Sequence, residues 1–116
     1  MPIKTKYLFV VSMDVDPDKE ALFNEVYDTE HVPHLAKVPG VIAATRVKGE
    51  DFARFDSGEV KPVAHQGARY CAIYEIEGPH VLTSAAWAKA GEAGRWATEV
   101  RPFTRNRRHQ VFKVVG

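Results

Sequence analysis

The 116-residue sequence has a single cysteine, Cys71. One cysteine closes no intrachain disulfide and builds no cysteine-based metal site. Its apolar surroundings mark it as a buried structural thiol. An excess of charge is also missing. Sixteen lysines and arginines stand against fifteen aspartates and glutamates, a formal net charge of +1, so the whole-chain balance implies no charged partner. The one dense basic patch, "RNRRH" from Arg105 to His109, reads as the solvated start of a strand. Nucleic acid binding needs basic residues spread over a face with aromatics for stacking, and that arrangement is absent.

Long hydrophobic runs are missing as well. No stretch approaches the roughly 18 apolar residues of a membrane helix. The opening "MPIKTKYLFVVSMDVD" is broken by Asp14 and Asp16 and has no signal-peptide pattern. The expectation is a cytoplasmic protein with no membrane or nucleic-acid partner. There is no glycine-rich phosphate loop, dinucleotide fingerprint, nucleophile elbow or kinase set, so no cofactor is implied. Repeats and low-complexity segments are absent, and the length fits one domain over residues 1–116.

What is present is a regular alternation of patterns. Lys6 to Val15 is apolar and β-rich, a buried strand. Asp16 and Pro17 suit the start of a helix that runs to about Lys37 and stops at Pro39-Gly40. A second strand follows from Val41, with Ile42, Ala44 and Arg46 in one phase. Gly49 to Gly67 reads as a long hairpin connection. "ARYCAIYEIEG" is a third strand. A second helix starts near Pro79 and weakens at Gly91 and Gly94, "RWATEVRPF" adds a helical turn, and "RRHQVFKVV" is the last strand.

The order β-α-β-β-α-β predicts an α+β ferredoxin-like fold: a four-stranded antiparallel sheet with two helices on one face. Both phases of the strands carry apolar or aromatic residues. The second face is therefore expected to be covered by another subunit, making a homodimer.

Candidate site residues gather in "YDTEHVPHLAKVPG", Tyr27 to Gly40. On a regular helical wheel Leu22, Phe23, Val26 and Tyr27 define an apolar arc. Glu30 and His34 continue that arc, and His31 lies at its edge. Pro33 should kink the helix and open space beside them. A buried titratable cluster points to a pocket. Arg46, Tyr70 and Tyr74 could form the opposite wall, with Arg46 a partner for Glu30 or for an anionic group. Trp87 and Trp96 could line a pocket or an interface, or simply pack the core.

The stretches "YDTEHVPHLAKVPGVIAATRV", "YCAIYEIEGPHVLTSAAW" and "RPFTRNRRHQVFK" resemble the dimeric α/β-barrel superfamily, specifically its EthD-like members. The matching residues are Tyr27, Glu30, His31, Pro33, Val38, Pro39, Gly40, Tyr70, Tyr74, Glu75, Arg101 and Pro102. The resemblance implies homodimers whose sheets pack face to face, each subunit keeping a pocket between sheet and helices. Relatives implied by it include cofactor-independent monooxygenases, muconolactone-type isomerases and heme-handling enzymes. His31 is the positional match to the histidine that methylmuconolactone isomerases use at the end of the first helix. The chain departs from the heme enzymes in having no proximal-histidine pattern, and in its long middle segment 49–67, which could cover the pocket mouth.

Two readings follow. In one, the protein is a cofactor-independent enzyme on a small cyclic or aromatic compound. His31 or His34 moves a proton, Glu30 orients the imidazole or acts as base, and Tyr27, Tyr70 or Arg46 binds a developing enolate oxygen, with Tyr74 and Trp87 lining the pocket. In the other, the same pocket holds a small ligand without chemistry. A metal site from Glu30, His31 and His34 with His65, His80 or His109 is disfavoured, because the glutamate precedes the first histidine and the histidines are three apart, not four.

Overall fold

Tyr7 to Val15 alternates large apolar residues with smaller or polar ones, and the computed structural model, which describes residues 3–116, forms strand β1 (Tyr7–Val15) there. Phe9, Val11 and Met13 are buried on one face. A 3-10 turn (Pro17–Lys19) leads into α1 (Glu20–Val26), a π-turn (Tyr27–His31) and α2 (Val32–Ala36). Asp16 does not cap this helix with its side chain. Its carboxylate pairs with Arg105 instead.

Gly40 ends the helical segment with φ +95°, where a Cβ would run into Val81 Cγ2. Only glycine meets both demands. Strand β2 (Val41–Lys48) follows. A register shift between Val41 and Ala43 breaks its alternation. Ile42 is therefore 54% exposed and does not share the helix-facing phase of Ala44 and Arg46.

The segment expected as a long hairpin connection carries structure of its own, β3 (Phe52–Asp56) and β4 (Glu59–Val63), which form a separate two-stranded sheet. Ser57 and Gly58 both have positive φ, as a tight two-residue hairpin turn requires. Cross-strand pairs place Ala53, Phe55, Val60 and Pro62 on one face of this arm and Arg54 with Lys61 and Asp56 with Glu59 on the other. The apolar face is uncovered, Phe55 being 71% exposed. Asp51 anchors the base of the arm. It accepts a 2.8 Å bond from the His65 N–H and pairs with Arg69 at 3.2 Å.

Strand β5 (Tyr70–Ile76) buries Tyr70, Ala72, Tyr74 and Ile76 on the helix side. A 3-10 turn (Pro79–Thr83) precedes α3 (Ala85–Glu92), capped by Ser84 Oγ, which accepts from the Trp87 N–H. A second π-turn (Trp96–Val100) and a 3-10 turn (Arg101–Phe103) lead to β6 (Thr104–Lys113). The four long strands form an antiparallel sheet in the order β2-β5-β1-β6. That is the split βαβ arrangement expected from the element order. The core lies between sheet and helices. On the other face Leu8, Val10, Cys71 and Ile73 are only part-buried, and Val47 and Phe112 are exposed. Among the described residues no helix is long and apolar enough to cross a membrane.

Candidate functional site

A cavity of about 140 Å³ lies between the helices and the sheet. Its floor comes from Phe9, Val11 and Met13 of β1 and Tyr74 of β5. Tyr27, His31 and Leu35 form one wall, Trp87, Gly91 and Trp96 a second, and Arg101, Arg107 and His109 complete the lining.

Two π-turns shape it. The Val32 N–H bonds the Tyr27 carbonyl, and the Arg101 N–H bonds the Trp96 carbonyl, each five residues back. Each turn is wider than an α-turn, and such bulges recur at functional sites. The kink expected at Pro33 takes this form: the helix widens just ahead of the residue that lacks an N–H. The first residues of the two π-turns pack together. Tyr27 and Trp96 meet edge to face at 4.9 Å, and His31 stacks on Trp96 at 4.2 Å and 18°. Trp87 meets Tyr74 and Phe9 edge-on at 5.5 and 5.7 Å.

His31 is the one buried polar residue of the described chain, 7% exposed. Burial pushes its pKa down to about 4, helped by the nearby charges of His34, Arg101 and Arg107. Its Nδ1, like that of His34, has no hydrogen-bond partner among the described residues. Burial raises Tyr27 to about 12 and lifts Tyr74 further still. At neutral pH the cavity therefore holds a neutral imidazole and two neutral phenols. A neutral imidazole can take a proton from a bound molecule, and a phenol can donate a hydrogen bond to the oxyanion left behind.

The structure gathers Tyr27, His31, Tyr74 and Trp87 at the cavity. It places Glu30, His34, Arg46 and Tyr70 outside its lining. Glu30 accepts from the Arg95 N–H at 2.9 Å and from Arg95 Nε at 2.6 Å. These bonds hold its carboxyl below the usual range, the backbone bond first. Glu30 thus clasps the first helical segment to the residue preceding Trp96. Gly94, with φ +70°, gives it room, since a Cβ there would strike Glu30 Oε1. His34 sits on the same side, near Gly94.

Arg46 faces the helices but pairs with Asp28 at 2.7 Å and Asn24 at 2.9 Å, not with Glu30. Its guanidinium lies 4.5 Å from the Tyr27 ring centre and is not part of the cavity lining. Tyr70 donates to Glu20 and accepts from Asn24. No residue of 49–67 lines the cavity; the hairpin arm does not cover its mouth within one chain. His65 bonds Ala68 at the arm's base and His80 is exposed. Among the described residues no three His, Cys, Asp or Glu side chains converge as a metal site would require.

Sequence reasoning named Arg101 only as part of the resemblance and His109 only as a disfavoured metal ligand, and it did not single out Arg107. The patch is exposed at the start of β6, as expected of a solvated strand start, and Arg107 and His109 also border the cavity. His109 stacks on Phe9 at 6.0 Å, and burial lowers its pKa. The available signal was strand phase. His109 lies opposite Val11, a helix-facing residue of β1.

No family model matches the sequence, and no curated protein does. Solved structures match across nearly the whole chain. An EthD family protein from Bacillus halodurans superposes with a TM-score of 0.60 at 10% identity, covering 94% of this chain and 99% of that one. The heme-degrader MhuD of Mycobacterium tuberculosis, with two hemes in its active site, gives 0.58 at 15% identity, covering 94% and 95%. The chain has their ferredoxin-like fold. A MhuD mutant with two manganese protoporphyrin IX per active site gives 0.60 at 15% identity, over 94% of both chains. At these identities the likeness is one of architecture, and a shared fold does not carry a shared ligand.

Proposed function

We propose that the protein is a homodimer that binds a small, single-ring compound in this cavity and transfers a proton on it without a cofactor. One observation carries the reading: a neutral, buried imidazole with an unpaired Nδ1 lines a cavity of one-ring size. A cavity of about 150 Å³ admits benzene. His31 acts as the base on an acidic C–H of a lactone or enolisable cyclic ketone. Tyr27 and Tyr74 supply donors for the enolate oxygen, and the Trp96 and Trp87 rings flank the substrate ring. Glu30 serves as a positioning residue, because its clasp on Arg95 fixes where Trp96 lies over His31.

Simple model compounds suffice for the test. Small lactones and cyclic ketones are incubated in D2O with the protein, and exchange of their α-protons is followed by NMR. Wild type should accelerate exchange, and His31→Gln should lower that acceleration by about 10²–10⁴-fold. Binding without accelerated exchange would favour the non-catalytic binder, a reading supported by the lack of any carboxylate on His31.

Two structures that share the fold hold heme or manganese protoporphyrin. The residues here do not fit such a group. Sites for cofactor-sized ligands run to roughly 300–1,000 Å³, against about 140 Å³ in this cavity.

The dimer reading rests on the uncovered sheet face. Leu8, Val10, Ile73 and Phe112 form an apolar surface that a second copy would bury. Ile73→Asp puts a charge at its centre. Sedimentation should give twice 13.0 kDa for wild type and 13.0 kDa for the variant; a monomeric wild type would refute the dimer.

A further inference from the structure

We infer that the ligand of this cavity is an anion, a ring bearing a carboxylate or a comparably acidic oxygen, and that Arg107 is the residue that docks it. The inference deepens the reading above and rests on it. Its ground is a mismatch of charge. The cavity lining holds Arg101 and Arg107 and no aspartate or glutamate. The nearby carboxylates are engaged elsewhere: Glu92 with Arg101, Glu30 with Arg95, Asp16 with Arg105. Arg101 is held as a fork, its two Nη atoms each 3.0 Å from a Glu92 oxygen. Arg107 has no ion-pair or hydrogen-bond partner among the described residues.

Arg107 is placed by the strand and not by chance of a flexible tail. β1 and β6 shift register between Ser12 and Asp14, where Asn106 takes φ +56°. Past that irregularity Arg107 and His109 share the helix-facing side, while Arg108 and Gln110 line the hollow on the opposite face. Arg107, itself exposed, therefore presents a free planar fork at the edge of a cavity lined mainly by aromatic and aliphatic side chains. A guanidinium in that setting matches a carboxylate in two parallel bonds. The aromatic remainder matches the ring that carries it. Its uncompensated charge also lies close enough to oppose protonation of both His31 and His109. A bound anion would cancel that effect and bring His31 nearer to the range in which proton transfer at neutral pH is efficient.

The experiment is calorimetric titration of the purified protein with 4-nitrobenzoate and with 4-nitrobenzamide, its uncharged counterpart, at low and high salt. Wild type should prefer the anion by about tenfold or more, as a charge-assisted pair implies, and added salt should erode the preference. Arg107→Gln should reduce the preference to about twofold or less. Arg107→Lys, which restores the charge without the fork, should recover part of it. Equal affinity for the two probes, or a preference untouched by Arg107→Gln, overturns the inference while the cavity stands. If neither probe binds, the cavity reading falls and the inference with it.

Discussion

His31→Phe will flatten the loss of stability that the wild-type protein shows between pH 6.5 and about 4. The folded-state pKa of His31 lies near 4 because the ring is buried, against an ordinary value of 6.5. Between those limits the unfolded chain binds a proton that the folded chain refuses. Stability is therefore full above about pH 6.5 and drains away as the pH falls toward 4, by up to about 3 kcal/mol. Phenylalanine keeps the ring and its stack on Trp96 but cannot titrate. Urea unfolding at steps between pH 7 and pH 4 measures both slopes. His109 leaves a smaller residual slope in the variant, since its pKa is lowered too. The carboxylates held down by partners, Asp14, Glu20, Glu30, Asp51 and Glu92, act in a lower window. Their contribution is present above the ordinary carboxylate range and lost as the pH drops through their lowered values. An unchanged slope in His31→Phe would show that His31 titrates normally, and the neutral imidazole would no longer stand.

Trp96→Ala will cost about 3–5 kcal/mol, a large part of what a chain this size has to lose. Trp96 is 2% exposed. It packs at 6.1 Å on Phe23, 4.9 Å on Tyr27 and 4.2 Å on His31, joining the two π-turns to the core. Removing it leaves a cavity next to an existing one, so the site cannot easily close over the gap. Trp87, only half-buried, should cost clearly less on the same substitution. Denaturant midpoints of the two variants compare the costs directly. Equal small losses would mean that the helix-end cluster is not packed as described.

The element order and the sheet were readable because the strand patterns are clear: β5 alternates buried and part-buried residues throughout, and β1 does so from Leu8 to Asp14. The edges were less readable. The irregularity at Ile42 and the one at Asn106 each shift the phase of an edge strand, and no propensity marks them. Arg107 itself keeps the regular phase of His109, so a basic run that is exposed as expected still borders the cavity. The helix posed a different problem. A wheel at 3.6 residues per turn puts Glu30 and His34 on the buried arc. The π-turn widens the spiral, so the inward stripe advances in fours through Phe23, Tyr27, His31 and Leu35. Glu30 is thereby turned toward Arg95 and His31 takes the inward place. Pro33 was the available sign that the regular spiral would fail there.

Intrinsic fluorescence tests most directly whether the helix-end cavity receives a single-ring ligand. The protein has two tryptophans, and both line the cavity. Gly91 lines it too, with open space where a side chain would begin. Titration with 4-nitrobenzoate should quench wild-type fluorescence saturably, and Gly91→Leu, which fills the space, should abolish the saturable part while remaining folded. Weak linear quenching that is the same in wild type and in Gly91→Leu would contradict the cavity's role, because the ring would then be meeting the tryptophans only by collision.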